Sequence, residues 1–347
     1  MHSKSSYPWT KQPVIASAPM RLIALSDLAA SVSMAGGIGF IGAGSDVSNL
    51  DSELTRVRQL IDNVPGLHSS QDVLPVGVGF LLWAGEELLN VSLPILAKHK
   101  PAAVWLFAPR QSDDLVCWTK GVRGVSPATS VWIQVGTVSD AVEAVKSCSP
   151  EVLVVQGTDA GGHGLERCAS LMPLFPEVDD AISLLCKDAS VDKPIMLAAG
   201  GIADGRGVAA AMALGADGVV MGTRYLASKE AIISQGYQTA VLKAADGGST
   251  TLRGKLYDTL RGTTDWPLRY GGRGVLNDSH FDAEKGMGIE ENKKKYDEAV
   301  EAGDWGRLTT YAGTAVGLVK EVLPAAGITE TVRLEAQECL RRTSGKL

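Results

Sequence analysis

Short apolar runs rich in β-branched residues recur along the first two thirds of the chain. Each run is separated from the next by enough residues for a helix and two loops, a spacing typical of repeated strand–helix units. The apolar residues within a run are continuous rather than alternating with polar ones, which indicates parallel strands covered on both faces. The predicted strands are residues 14–18, 38–42, 74–80, 102–107, 130–135, 151–156, 193–199 and 217–222.

Helical stretches lie between several of these runs. Some of them begin near a serine or aspartate, which can accept hydrogen bonds from the free N–H groups of a first helical turn. Eight strand–helix units favour an α/β protein with a (β/α)₈ TIM barrel, and a doubly wound open sheet is the alternative. The predicted helices are residues 26–35, 51–63, 85–98, 139–146, 179–187 and 205–214.

The pattern changes after residue 233. Residues 246–274 are polar and glycine-rich and show no strand periodicity, and residues 290–305 resemble a solvated, charged helix. An apolar helical segment is predicted at 312–326, followed by a charged helix to about residue 342. We therefore expect three parts, which are a barrel at 1–233, a smaller, mainly helical lid domain at 234–310, and C-terminal helices at 311–347 that pack back on the barrel.

The composition argues against several classes of function. A net charge of -6 leaves no basic surface for nucleic acid or for an anionic membrane. No apolar run reaches the roughly 18 residues of a membrane span, and the first residues lack the apolar core of a secretory signal. Five scattered cysteines without a CxxC pair indicate reduced thiols, and the five histidines lack ligand spacing. We expect a cytoplasmic protein without a metal site.

Glycine-rich loops follow the last predicted strands. In a TIM barrel the active site forms at the carboxyl ends of the strands. Gly200-Gly201 follows the seventh strand and Gly222-Thr223 the eighth. Backbone N–H groups that no side chain covers favour a phosphate, so these pairs are the predicted phosphate site. The alternative is that the glycines only turn the chain.

One glycine motif does not predict a dinucleotide site. Gly37, Gly39 and Gly42 match the GxGxxG pattern of dinucleotide-binding folds. That pattern requires a strand before it and a helix after it, whereas here a helix precedes the motif and a strand runs through it. We interpret the match as accidental.

His163 stands at the end of the sixth predicted strand, behind Ala160, Gly161 and Gly162. The small residues leave room for a flat ligand beside the imidazole, which can accept a proton near neutral pH. His163 is therefore the candidate general base. Asp159 could orient the loop or the ring, or form a local Asx turn. Cys168 is a poor candidate nucleophile because no third orienting group is identifiable.

These motifs resemble those of the nitronate monooxygenases, formerly called 2-nitropropane dioxygenases. The segments that carry the resemblance extend over nearly the whole chain: "APM" at 18–20, "AGGIGFIGAG" at 35–44, "QGTDAGGHG" at 156–164, "LAAGGIADGRGVAAAMALGADGVVMGTRY" at 197–225 and "AGTAVGLV" at 312–319. That family has an FMN-binding (β/α)₈ barrel with a smaller lid domain. It oxidises alkyl nitronates, and sometimes nitroalkanes, with O₂.

The resemblance implies FMN as the cofactor and His163 as the catalytic base. It implies a small-molecule substrate (an alkyl nitronate or a nitroalkane), O₂ as co-substrate, and a carbonyl compound and nitrite as products. A homodimer is compatible with it, and neither nucleic acid nor a membrane is an expected partner. The FMN contacts it implies are Pro19, Met20, Gly79, Gln134, Gln156, Gly161, Gly162, Gly200, Gly201, Gly222 and Thr223.

Two positions depart from the family pattern. Arg21 stands where a small or apolar residue is common, and Thr314 stands where many relatives have glutamine. Arg21 could narrow the substrate pocket or attract an anion. The glycine motifs also resemble those of flavin-dependent enoyl-acyl carrier protein reductases and NADH:quinone reductases, so an NAD(P)H-dependent reductase is the first alternative function. A flavin-binding protein without turnover is the second.

Overall fold

The computed structural model describes residues 7–62, 64, 66–67 and 73–346. Within these residues, eight parallel strands form one sheet in the order β1-β9-β8-β6-β5-β4-β3-β2. A parallel bridge between Ala16 and Ile38 joins β1 to β2, so the sheet curls into a barrel. The eight strands are β1 (Val14–Ser17), β2 (Gly39–Gly44), β3 (Leu74–Leu81), β4 (Pro101–Phe107), β5 (Ser130–Val135), β6 (Val152–Gln156), β8 (Ile195–Ala199) and β9 (Gly218–Met221). The predicted TIM barrel is confirmed.

Large aromatic side chains fill the inside of the barrel. The indoles of Trp105 and Trp132 stack with ring centroids 5.9 Å apart, and Phe40 packs edge-on against Trp105 at 5.2 Å. A Cβ atom at position 77 would lie 2.1 Å from the Phe40 ring, so Gly77 makes room for it. The interior is therefore a packed core, and a ligand can bind only at its ends.

In the part of the chain that the structure describes, eight helices surround the sheet. Seven of them follow barrel strands, and the last one, from the C-terminus, packs against α7 and α1 and completes the ring. Their bounds are α1 (Ser26–Met34), α2 (Leu50–Ile61), α3 (Glu86–His99), α4 (Ser112–Val125), α5 (Val138–Cys148), α6 (Leu171–Ala189), α7 (Gly205–Ala213) and α14 (Ala325–Ser344). Residue 63, the predicted end of the second helix, lies outside the described residues.

Helix α4 is absent from the helices predicted from sequence. Its buried residues Leu115, Trp118, Thr119 and Val122 have helical spacing, but Gly121 and Gly124 lower its intrinsic helix propensity. A Cβ at position 121 would lie 3.2 Å from a methyl group of Leu93 in α3. Close packing between the two helices therefore accounts for one of these glycines.

The segment after β9 covers the carboxyl ends of the strands. It contains five short or medium helices and two strands, and we call residues 234–310 the lid. Its elements follow α8 (Thr223–Leu226) and are α9 (Gln235–Lys243), α10 (Gly247–Thr250), β10 (Thr251–Gly254), α11 (Leu256–Arg261), β11 (Tyr270–Val275), α12 (Asp278–Glu284) and α13 (Ile289–Ala302). The domain bounds at 233 and 310 stay predictions.

Residues 246–274, which show no strand periodicity in the sequence, nevertheless contain β10 and most of β11. Strands β10 and β11 pair antiparallel, and β11 pairs antiparallel with β7 (Gly162–Leu165), which comes from the barrel part of the chain. Glycines at 271, 272 and 274 hide this strand from any apolar pattern, because backbone hydrogen bonds rather than side chains hold the small sheet together.

The predicted apolar helix at 312–326 is also wrong. The structure has a short 3-10 helix there, Thr314–Leu318, and α14 begins only at Ala325. Pro324 precedes α14 and cannot donate the hydrogen bond that a continuous helix would require. Val316 and Val319 are nevertheless buried, against the lid, which is the origin of the apolar pattern.

Candidate active site

A cavity of about 680 Å³ opens between the carboxyl ends of the barrel strands and the lid. All twelve residues predicted for the site line this cavity. They are Pro19, Met20, Gly79, Gln134, Gln156, Gly161, Gly162, His163, Gly200, Gly201, Gly222 and Thr223. The structure therefore brings together residues that are up to 204 positions apart, from 19 to 223, while their individual roles stay predictions.

His163 lies on β7, the strand that leaves the barrel and joins the lid sheet. It lies opposite Gly272 of β11 in antiparallel register. Its backbone carbonyl accepts a hydrogen bond from Nε2 of Gln156, at the end of β6, at 3.2 Å. The position of the imidazole is therefore fixed jointly by a barrel strand and by the lid.

Three lid or C-terminal side chains surround the imidazole. Nε2 of His163 lies 2.9 Å from each carboxylate oxygen of Asp258. The indole of Trp266 stacks on the imidazole, and the ring of Tyr311 lies tilted against it at a centroid distance of 5.3 Å. The side chains of His163 and Asp258 are only 12% and 6% exposed, so bulk water weakens their interaction little.

Asp258 is positioned by the way α11 ends. Gly262 adopts a left-handed conformation, with φ of 69°, after the last helical residue. The N–H of Thr263 donates to the carbonyl oxygen of Asp258 at 2.9 Å, the bond that closes a helix of this type. The sequence "DTLRGT" at 258–263 thus places the Asp258 carboxylate in the last turn, beside the cavity.

The carboxylate of Asp258 has further donors. The hydroxyl of Tyr311 donates to Oδ1 at 2.9 Å, and the hydroxyl of Thr263 donates to the same atom at 3.3 Å. Burial, together with the nearby carboxylate, raises the pKa of Tyr311 above its usual value, so the phenol remains protonated and donates.

A half-buried arginine of the lid, Arg253, holds the loop that leads to His163. Nη1 of Arg253 donates to the carbonyl oxygens of Gly162 and Gly271, at 2.9 and 2.7 Å. Nη2 donates to those of Ala160 and Thr158, at 2.5 and 3.3 Å. Burial lowers the pKa of Arg253 to about 10, so the guanidinium is still charged at neutral pH. One cation therefore orients three carbonyls of a loop whose side chains are too small to do so.

The comparisons with known proteins assign the chain to a family. Residues 123–332, more than half of the chain, match the family model of nitronate monooxygenase. The chain belongs to the nitronate monooxygenase family. The protein named nitronate monooxygenase npaC of Metarhizium robertsii is 45% identical over 344 residues, which cover 96% of this chain and 94% of that protein. A nitronate monooxygenase of Neurospora crassa is 40% identical over 355 residues, covering 97% and 93%.

Solved structures have the same fold. FabK from Thermotoga maritima superposes with a TM-score of 0.73 at 25% identity, covering 96% of this chain and 95% of its own. A nitroalkane oxidase from Streptomyces ansochromogenes superposes with the same TM-score at 23% identity, covering 98% and 99%. As a member of the nitronate monooxygenase family, the protein is a flavin-dependent oxidoreductase.

The predicted phosphate site fits the phosphate of a flavin. Among the described residues, the backbone N–H groups of Gly200, Gly201, Gly222 and Thr223 have no hydrogen-bond partner in the protein. All four residues line the cavity. Unpaired N–H groups grouped at strand ends are suited to an anion. The first turn of α7 does not contribute, because the side chain of Asp204 already accepts from its N–H groups.

Glycine is required at the two positions before His163 for different structural reasons. A Cβ at position 161 would lie 2.4 Å from the backbone nitrogen of Gly313, so Gly161 makes room for the chain after the lid. A Cβ at position 162 would meet no protein atom within 4 Å. Gly162 instead has φ of 67°, which favours glycine. Of the two, only Gly162 leaves open space in which a flat ring fits.

The first barrel loop is packed on glycines of β2 and β3. A Cβ at position 79 would lie 2.3 Å from Pro19, and one at position 42 would lie 2.4 Å from the backbone of Met20. Gly79 therefore makes room for the proline ring, although it also lines the cavity. Gln134 lies deeper, where its side-chain oxygen accepts a hydrogen bond from the indole of Trp105 at 3.0 Å.

The two departures from the family pattern lie in different places. Arg21 lines the mouth of the cavity and its head is exposed. Thr314 is absent from the cavity wall. Its hydroxyl donates to Oδ1 of Asp159 at 3.2 Å and its N–H donates to the carbonyl of Asp159 at 3.0 Å. Asp159 therefore ties the loop to the segment after the lid, and Asp258 is the carboxylate that holds the ring.

Cys168 is not activated as a nucleophile, and the described residues contain no metal centre. The thiol of Cys168 donates to the carbonyl of Gly136 at 3.1 Å, and burial raises its pKa, which disfavours the thiolate. No group of three or more potential ligand side chains could hold a metal ion among the residues that the structure describes. Within the same residues, no helix has the length and apolar character needed to cross a bilayer.

Sequence reasoning missed four residues that surround or support His163: Arg253, Asp258, Trp266 and Tyr311. Asp258 lies 95 positions from His163 on a helix of six residues. The glycine at 262, typical of a helix end, is the only local signal near it. Nothing in the pattern around positions 253, 266 or 311 distinguishes those residues from other polar or aromatic residues of the lid.

Proposed function

We propose that the protein binds FMN in the cavity and oxidises alkyl nitronates with O₂ to a carbonyl compound and nitrite. Neutral nitroalkanes would be a further substrate class, for which His163 acts as the base. The observation that carries the proposal is the position of His163. Its buried imidazole lines the same cavity as the unpaired N–H groups of the predicted phosphate site.

FMN fits this proposal better than FAD. The N–H groups at the ends of β8 and β9 form one anion site, which suits the single phosphate of a mononucleotide. When bound, the flavin supplies the electron acceptor for the substrate and the centre that reacts with O₂.

Residues of the chain do the remaining work. Gly200, Gly201, Gly222 and Thr223 would hold the phosphate, and Gly162 leaves space beside the ring system. His163 would take the proton from the carbon that carries the nitro group, which converts a nitroalkane into its nitronate. Trp83, Phe107 and Trp266 line the same cavity and exclude water from the reacting atoms.

Anaerobic reduction tests the function. The purified protein, with its flavin bound, is mixed under argon either with ethylnitronate or with NADH, and the flavin absorbance is followed. We expect the nitronate to bleach the flavin, and admission of O₂ to release nitrite. Bleaching by NADH but not by nitronate would instead establish an NAD(P)H-dependent reductase, and bleaching by neither would indicate a flavin-binding protein without turnover.

Cofactor identity and assembly are tested separately. Mass spectrometry of the molecule released on denaturation should find FMN, and FAD would overturn that part of the proposal. Sedimentation of the purified protein tests the homodimer, and fractionation of the source cells tests the cytoplasmic location. No nucleic acid or membrane is part of the proposal.

A further inference from the structure

We propose that Asp258 is a positioning residue that holds the proton of His163 on Nε2 and leaves Nδ1 as the atom that accepts the substrate's proton. The first half of this inference rests on geometry alone. The second half rests on the proposed function, because it names the atom of the base that this function requires.

The hydrogen-bond partners of Asp258 assign the tautomer. A carboxylate only accepts hydrogen bonds, so Nε2 of His163, 2.9 Å from both oxygens, has to be the donor. The hydroxyls of Tyr311 and Thr263 also donate to Oδ1. Three donors from the described residues therefore converge on one buried carboxylate, which accepts a hydrogen bond from each of them.

The second ring nitrogen is free for chemistry. A neutral imidazole has one N–H donor and one acceptor nitrogen, so a proton on Nε2 leaves the lone pair on Nδ1. In the part of the chain that the structure describes, Nδ1 of His163 has no hydrogen-bond partner. His163 lines the cavity whereas Asp258 does not. Asp258 would therefore act through the imidazole and not on the substrate itself.

The ring is also held against rotation. Trp266 covers one face, with ring centroids 3.8 Å apart and an interplanar angle of 4°. Tyr311 lies tilted against the imidazole while its hydroxyl holds Asp258. A flipped imidazole would lose its bond to the carboxylate and leave that carboxylate short of a donor, which is unfavourable in a buried site.

Asp258 also lies beside the positive charge that the imidazole would gain during the reaction. Once the imidazole has accepted a proton it carries a positive charge, and Asp258 is then its nearest counter-ion. An adjacent carboxylate stabilises an imidazolium in a poorly solvated site, the role that an aspartate has beside the histidine of a serine protease. Substitution of Asp258 should therefore affect proton removal more than flavin binding.

The first experiment reads the tautomer directly. In protein labelled with ¹⁵N, long-range ¹H–¹⁵N correlations distinguish imidazoles protonated at Nε2 from those protonated at Nδ1. The signals of His163 are assigned by comparison with His163→Asn. We expect a proton on Nε2 in the wild-type protein. A proton on Nδ1 would overturn the inference, whatever the protein's activity, and this measurement requires no variant of Asp258.

The second experiment uses Asp258→Asn in the flavin-loaded enzyme. The amide is similar in shape but can donate to Nε2, which moves the ring proton to Nδ1. We expect the NMR signature to change and kcat/KM for a neutral nitroalkane to fall by about 10²- to 10⁴-fold, the typical worth of a general base. Turnover of a nitronate supplied in its anionic form should change much less.

A matched control is Asp278→Asn. Asp278 is an exposed residue at the start of α12 in the same lid. This substitution should leave the His163 tautomer unchanged, and it should leave the ratio of nitroalkane activity to nitronate activity as in the wild type. Equal effects of Asp258→Asn on nitroalkane and nitronate, or an unchanged tautomer, would overturn the inference. The protein could carry the His163 proton on Nε2 and yet oxidise no nitronate. That result would support the role of Asp258 in fixing the tautomer and would refute the proposed function.

Discussion

The indole of Trp266 lies parallel to the imidazole of His163, with the two ring centroids 3.8 Å apart. His163 belongs to the barrel part of the chain, whereas Trp266 belongs to the turn before β11 in the lid. Trp266 packs in turn against Trp83, Phe107 and Tyr270. The candidate base is therefore supported on one face by a lid side chain, Trp266, which is itself packed on aromatic side chains of both the barrel and the lid.

Replacement of Trp266 by leucine should loosen the imidazole without removing it. An aromatic pair of this kind contributes about 0.5–1.5 kcal/mol beyond its buried area. We expect nitroalkane turnover to fall by about tenfold, the equivalent of 1.4 kcal/mol, with the flavin content unchanged. Trp266→Phe is the control, since a phenyl ring can still stack. Steady-state kinetics that give equal rates for the two variants would show that the stack has no catalytic role.

Replacement of His163 by asparagine should separate the two substrate classes. Asparagine cannot accept a proton near neutral pH, so turnover of a neutral nitroalkane should fall by about 10²- to 10⁴-fold. A nitronate has already lost that proton and should be affected much less. Flavin absorbance measures whether the cofactor is retained. Full activity on both substrates would make the imidazole a bystander, and loss of the flavin would make it structural.

Replacement of Gly222 by alanine should weaken flavin binding. Its backbone φ of -109° is open to any residue, and the new Cβ would lie 3.5 Å from the nearest protein atom, in Ala18. The protein should therefore fold normally while the methyl group occupies space beside the predicted phosphate site. We expect the flavin Kd to rise at least about tenfold, since a hydrogen bond to a charged group contributes about 1.5–3 kcal/mol.

The control for this substitution is Gly248→Ala, on α10, where a new Cβ would meet no atom within 4 Å. Gly201 is less suitable for the same test, because its φ of 74° would strain any other residue. Flavin titrations of the two alanine variants should differ. If both variants bind the flavin with equal affinity, the phosphate does not bind beside Gly222.

The apolar side chains at the mouth of the cavity should favour substrates with longer alkyl chains. Leu22 and Ile232 line it and are 61% and 57% exposed, and the N–H of Ile232 donates to the carbonyl of Ile23 at 3.0 Å. These apolar side chains offer a surface to a chain that extends from the reacting carbon. Each methylene buried there would contribute about 0.8 kcal/mol.

We therefore expect Ile232→Ser to lower kcat/KM more for the nitronate of nitrohexane than for that of nitroethane. Leu22→Asn should act in the same direction, and asparagine tolerates the positive φ of 65° at that position. Leu334→Ser, on the outer face of α14, is the control. If kcat/KM falls equally for both substrates, Leu22 and Ile232 do not contact the alkyl chain of the substrate.

Most of the barrel could be predicted from sequence because its strands are covered on both faces. Runs such as "VLVV" at 152–155 are continuously apolar, and β6 begins at Val152, one residue after the start of the predicted strand at 151–156. The loops that follow the strands are equally predictable, since the barrel brings all carboxyl ends to one side. Local pattern and global topology agree in this part of the chain.

The lid could not be predicted in the same way. Strand β11 reads "YGGRGV", whose glycines have low strand propensity. It forms because its backbone pairs with β7, and the partner is more than 100 positions earlier in the chain. The contacts of Asp258 and Trp266 with His163 have the same origin. Such contacts depend on how two distant segments meet, and neither segment encodes them alone.

Strand β7 leaves the barrel but has its only described partner, β11, in the lid. A chain trimmed to the barrel would therefore carry a four-residue strand with both edges unpaired. Unpaired edges recruit strands from other molecules. Attempts to reduce this enzyme to a minimal barrel should therefore yield self-association rather than a smaller catalyst.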